Sequence, residues 1–118
     1  MTANPRDLRA RTKEFAIRIV RLYQSLPFKT DSQVLGKQLL RSGTSVAANY
    51  RAVQRARSRA EFVAKMGIVV EETDESLFWL ELMRDTGIVP KAKTELLVKE
   101  ADELLAIFYS SKRTAKTK

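Results

Sequence analysis

Neither cysteine nor histidine occurs in the 118 residues of this chain. The first absence removes disulfides, thiolate zinc sites and thiol nucleophiles together. The second removes the commonest general base near neutrality and the commonest metal ligand. Glycine occurs four times and proline three times, too few for a turn-rich β protein or a Pro/Gly-rich disordered chain. The glycines, Gly36, Gly43, Gly67 and Gly87, are isolated, so no glycine-rich phosphate loop is present. No apolar run approaches the ~20 residues needed to cross a bilayer. The opening segment MTANPRDLRAR also lacks the apolar core of a secretory signal peptide. A cytoplasmic protein with no membrane partner is therefore expected. A single domain of this length buries roughly two-thirds of the surface its unfolded chain exposes, enough for one modest core.

What the chain does have is charge, unevenly placed. The net charge is +8. Residues 1–65 carry 14 Lys/Arg against 4 Asp/Glu, and residues 66–118 carry 8 against 10. The basic half suits nucleic acid or an acidic partner, and equally suits the acidic half of another copy.

Helical periodicity runs through nearly the whole sequence. Asn4 as N-cap, Pro5 at the first helical position and Asp7 in the first turn mark a helix over about 5–25. Its apolar stripe is Phe15, Ile19, Leu22 and Leu26, widened by Leu8, Val20 and Tyr23. Thr30 and Gln33 have the spacing of a capping box opening a second helix, about 31–57. Leu35, Leu39, Ser42, Val46, Asn49 and Val53 recur along it at bundle spacing. The centre of that seam, SGTSVAA, is small and polar, which calls for close approach by a neighbouring helix. Asn49 on the seam is expected to serve a structural hydrogen bond, since an unsatisfied buried amide costs roughly 1–3 kcal/mol.

Ser58 and Glu61 repeat the capping-box spacing and start a third helix, about 59–86. Phe62, Met66, Val69, Thr73, Ser76, Leu80 and Met83 form its seam, with Val63, Val70 and Leu77 beside it. Its stretch LFWLELM is apolar around most of the helix. Phe78, Trp79 and Leu82 therefore argue for a second buried surface, in a homo-oligomer or against a protein partner. Gly87 suits a C-terminal cap and Pro90 the first position of a fourth helix, about 90–110, with Leu97, Ala101, Leu104 and Phe108 as seam. The remaining residues, 111–118, are basic and without apolar periodicity, and are expected as a disordered tail. The whole reads as an all-α, up-down-up-down antiparallel four-helix bundle occupying 1–113.

Bundles often hold metals, but the Glu-x-x-His pairs of di-iron bundles need histidine. The cluster Glu71, Glu72, Asp74 and Glu75 is better read as a solvated face or as partners for arginine. Nothing marks two carboxylates as an acid/base pair in unequal environments. No catalytic residue, no metal and no cofactor is expected. The candidate binding residues are basic: Lys37, Arg41, Arg51 and Arg55 at helical spacing along one side of the second helix, continued by Arg57 and Arg59. Such a row can track a phosphate backbone with little sequence information, or pair with the third helix's carboxylates.

The segments RSGTS, AANYR, SRAEF and DESLFWLEL closely resemble the bacterial four helix bundle protein family, first associated with intervening sequences in large-subunit ribosomal RNA genes. The resemblance covers the chain from the first helix to the fourth. It implies an up-and-down bundle that assembles as a ring-shaped homopentamer, with an RNA connection resting on genomic setting. The family is also similar to the accessory protein of diversity-generating retroelements, a basic pentamer that binds a reverse transcriptase and nucleic acid, which implies RNA, DNA or such an enzyme as partner. Many relatives carry a glutamate-containing stretch where this chain has Arg51 and Arg55, so its face is the more basic.

Overall fold

The structure, a computed structural model, describes residues 5–117. Four helices follow in order: α1 (Pro5–Gln24), α2 (Thr30–Gln54), α3 (Arg59–Asp85) and α4 (Lys91–Thr117). No strand occurs among the described residues. Connections of four or five residues turn the chain back each time, and each helix packs on the next. α4 returns beside α1 and closes the bundle, although this fourth seam is far thinner than the other three. The particle measures 47 × 23 × 20 Å, close to the ~40 Å expected of a 27-residue helix plus its turns.

The core is the set that the periodicity marks. Phe15, Ile19 and Leu22 of α1, Leu26 in the connection after it, Leu39, Val46 and Val53 of α2, Met66, Val69, Leu80 and Met83 of α3, and Leu97, Ala101, Leu104 and Phe108 of α4 are all buried. Leu35 and Phe62, expected on the seams, are only half-buried and pack against the edge of the core, and on α2 two neighbouring positions trade places. Tyr50 rather than Asn49 turns inward on α2, stacking at a tilt on Phe108 with ring centroids 5.6 Å apart. Asn49 is only half-buried, and its Nδ2 donates to the Ser45 carbonyl at 2.9 Å, a bond within its own helix.

The small residues of α2 do admit neighbours closely. A Cβ on Gly43 would lie 2.9 Å from both Cγ1 and Cγ2 of Ile19, and one on Gly36 would lie 2.4 Å from Leu26 Cδ1. α1 therefore rests on the bare backbone of α2. On the other side of α2 the buried hydroxyls of Ser42 and Ser76 meet at 3.0 Å, each also within reach of a carbonyl in its own helix, Leu39 at 3.3 Å and Glu72 at 2.8 Å. Larger side chains here would force α1 and α3 away from α2. α2 is unbroken through Gly43.

The helix ends show where local signals hold and where tertiary contacts override them. Pro5 opens α1; the N-cap assigned to Asn4 lies outside the described residues. Ser58 caps α3, its side chain accepting from the Glu61 N–H at 3.0 Å. Gly87 takes the positive φ of 76° that ends α3. The Thr30–Gln33 box does not form: the N-cap is Lys29, without a side-chain bond. Gln33 is engaged elsewhere, accepting from the Tyr23 hydroxyl at 2.8 Å and donating to the Pro27 carbonyl at 3.0 Å. α2 ends at Gln54, three residues before the expected Arg57. α4 runs on to Thr117, so residues 111–117 are helical where a structureless tail was expected. Lys112, Arg113 and Lys116 in these last turns suit the negative end of the helix dipole.

Gly43→Val should cost about 1–3 kcal/mol of stability through overpacking against Ile19, whereas Gly67→Ala, facing only the flexible tip of Lys112, should gain about 0.5–1 kcal/mol of helix propensity. Urea denaturation of both variants checks this, and a Gly43→Val midpoint at or above wild type contradicts the close-packed seam.

Candidate functional site

α2 has α1 on one flank and α3 on the other, so its outward face carries what the core leaves over. Lys37, Arg41, Ala48, Arg51 and Arg55 lie along that face and are all exposed. The structure divides this row into three parts.

Arg41 is occupied. Its guanidinium pairs with Glu72 at 3.1 Å and with Glu75, both on α3. The hydrogen bond to Glu75 is the main cause holding its pKa above the ordinary arginine value, with further attraction from Glu72. Glu75 in turn accepts from the Trp79 indole N–H at 3.2 Å. Arg41 is thus a brace between α2 and α3, which is the alternative that the sequence left open for this row, pairing with the third helix's carboxylates. Lys37 lies one turn further towards the start of α2, apart from the other basic residues.

Arg51, Arg55 and Arg57 form the second part, and they meet residues that α2 alone does not contain. They line a concavity of about 730 Å³ together with Arg9 and Lys13 of α1 and Lys65 of α3. Antiparallel packing brings the first turns of α1 and α3 alongside the last turns of α2, and Arg9 and Lys13, four apart, share a face of α1. Ala47, Ala48 and Ala52 contribute small side chains to the lining. Among the described residues its one carboxylate is Glu61, 3.6 Å from Lys65. Six cations facing one acid make a region whose self-repulsion an incoming anion relieves. Arg59, the third part, is exposed at the first position of α3 and does not line the concavity.

The sequence pattern did not point to Arg9, Lys13 and Lys65. Their signal was available: once α1 and α2 are antiparallel, Arg9 and Lys13 fall level with Arg51 and Arg55. Ser58 and Glu61, expected as structural residues, do shape the turn beside the concavity, although the Glu61 carboxylate points to Lys65 rather than back to the Ser58 backbone.

The apolar surplus of α3 lies outward and away from the concavity. Phe78 is 53% exposed and meets Trp79 edge-on, with centroids 4.9 Å apart. Trp79 and Leu82 are half-buried. A shallower groove between α3 and α4 is lined by Glu71, Asp74 and Asp102 with Val70, Leu105, Ala106 and Tyr109. The molecule thus keeps its acidic groove on a different flank of α3 from its basic concavity. Arg11 and Glu100, a forked pair at 2.6 and 3.1 Å, tie α1 to α4 across the thin closing seam. That hydrogen bond is the chief cause raising the Arg11 pKa. No described helix is long and apolar enough to cross a membrane.

Glu75→Ala removes the acceptor of the sole tryptophan. It should increase iodide quenching of Trp79 fluorescence while costing under ~1 kcal/mol, because the ion pair it breaks is half-exposed. Unchanged quenching would show that Glu75 does not hold the indole.

Residues 7–110 match the protein family described as 23S rRNA-intervening sequence protein. A crystal structure of a protein of unknown function from the S23 ribosomal protein family of Bacteroides thetaiotaomicron VPI-5482 is 35% identical, over 92% of this chain and 97% of that one, with a TM-score of 0.85. None of the curated proteins matches. With the family match running from the first helix through most of the fourth, and a solved relative superposing on the same bundle, this chain belongs to the 23S rRNA-intervening sequence protein family.

Proposed function

We propose that this protein is a non-enzymatic, RNA-associated accessory protein of the cytoplasm that binds the phosphate backbone in the concavity at the α2–α3 turn. The observation that carries the reading is the gathering of Arg9, Lys13, Arg51, Arg55, Arg57 and Lys65 from three helices around a single acid. Arginine and lysine reaching phosphates supply affinity through counterion release. Among the described residues no aromatic side chain lines the concavity for base stacking, so recognition there is of the backbone and weakly specific. The family's association with an rRNA intervening sequence, carried in its name, supports RNA as the polyanion.

A scaffold whose charges serve assembly alone is the second reading, favoured by Arg41, whose charge is already spent on α3. Half-exposed Phe78, with Trp79 and Leu82, supports self-association as a homo-oligomer in either case.

One pair of measurements separates the readings. Arg51→Glu/Arg55→Glu should abolish low-salt binding of a mixed RNA, and Arg41→Gln should leave it within about threefold, roughly 0.7 kcal/mol. Light scattering on the same variants should show unchanged mass. Retained RNA binding with altered mass in the double variant would overturn the RNA reading in favour of the scaffold.

A further inference from the structure

The last turns of α4 carry Lys112, Arg113 and Lys116, and the antiparallel course of α3 and α4 sets them at the same end of the bundle as the basic concavity. None of the three has a carboxylate partner among the described residues. Lys112 crosses towards α3: a Cβ on Gly67 would lie 3.3 Å from its Nζ. On α3, Lys65 borders the concavity on the α2 side and Gly67 faces Lys112 on the α4 side. Between those flanks the outward face of α3 presents Ala60, Ala64 and Ile68, exposed and uncharged; Glu61, paired with Lys65, sits at the edge of the concavity, and the next acid of α3 is Glu71. A band with cations at both edges and an uncharged middle therefore passes from the concavity, over the first turns of α3, to the end of α4.

We infer that the end of α4 is the second half of the phosphate-binding surface, and that its occupant is an extended single strand of nucleic acid. This rests on the RNA reading above and deepens it. The two cationic groups lie on opposite sides of α3, a helix ~10–12 Å across with its side chains. A mononucleotide cannot touch both. The band also bends around a convex helix. Duplex, with a persistence length of ~150 base pairs, stays straight over that distance and meets the band only tangentially. A flexible strand follows it. The small residues of α3 let its backbone pass close to the helix surface, between lysines on either side.

The test is fluorescence anisotropy with labelled oligouridylate of ~12 nucleotides, a uridine dinucleotide as short competitor, and a duplex of the same length, each across a salt series. Lys112→Ala/Arg113→Ala/Lys116→Ala should lower 12-mer affinity at least tenfold at low salt and reduce the magnitude of its salt slope by about 2, three contacts at ~0.7 each. Competition by the dinucleotide should be unchanged. Gly67→Glu, a good helix former that places a carboxylate beneath Lys112, should weaken the 12-mer in the same direction with every lysine retained. Circular dichroism confirms that both variants fold. Wild-type protein that fails to bind the 12-mer overturns the RNA reading and this inference together. A wild type that binds, beside a triple variant with the same affinity and slope, overturns this inference alone. An equal loss for duplex overturns the single-strand assignment.

Discussion

The closeness with which α1 lies on α2 governs the rest of the molecule. At Gly43 the α2 backbone touches the Ile19 side chain with no room for a Cβ, and Gly36 receives Leu26 and Tyr23 in the same way. The opposite flank of α2 is nearly as tight, with two buried serine hydroxyls meeting where α3 crosses. α2 is thereby held between two neighbours along most of its length. The single face it has left must meet solvent, and that face is the arginine row. Packing and charge are two consequences of one stretch, RSGTSVAANYRAVQR.

The arginines divide according to whether a carboxylate stands within reach. Arg41 lies level with Glu72 and Glu75 and is consumed by them, and Arg11 lies level with Glu100. Such half-exposed pairs contribute little stability each, up to ~1 kcal/mol, but they tie neighbouring helices and engage charges that would otherwise be open to a ligand. At the end of the bundle that holds the α2–α3 turn, carboxylates are scarce. The acids of α3 begin in earnest at Glu71, two turns beyond Lys65. The surplus positive charge of the chain is therefore localised by the register of the helices, and the proposed ligand, a phosphate backbone, has the chemistry to neutralise it.

Much of this was legible before the structure. The heptad-like recurrence of apolar residues places every core residue of α3 and α4 named above, because a 3.6-residue period leaves one stripe to bury. Small residues in the α2 seam announced close packing, and Gly87 announced its turn. What failed depended on partners far away in sequence. Gln33 has the spacing of a capping residue, but Tyr23 and Pro27 compete for its amide. Asn49 and Tyr50 are adjacent, and only the ring of Phe108 across the bundle decides which turns inward. Arg41 and Arg55 are indistinguishable on a helical wheel, and Glu72 and Glu75 separate them. Arg9 and Lys13 join the site through antiparallel packing alone. The segment after Ser110 has no periodicity to signal a helix, yet it continues α4 with Lys112 lying over Gly67.

The claim that the cations gathered at one end of the bundle form the functional surface is most directly tested by amide chemical-shift mapping during titration with an oligouridylate at low salt. The account predicts perturbations in the first turns of α1, from Ala47 to Lys65, and in the last turns of α4, with little change around Arg41, Glu75 and Trp79. Perturbations centred on the Arg41–Glu75 brace or on the acidic groove of α3 and α4, or none at all, would contradict it.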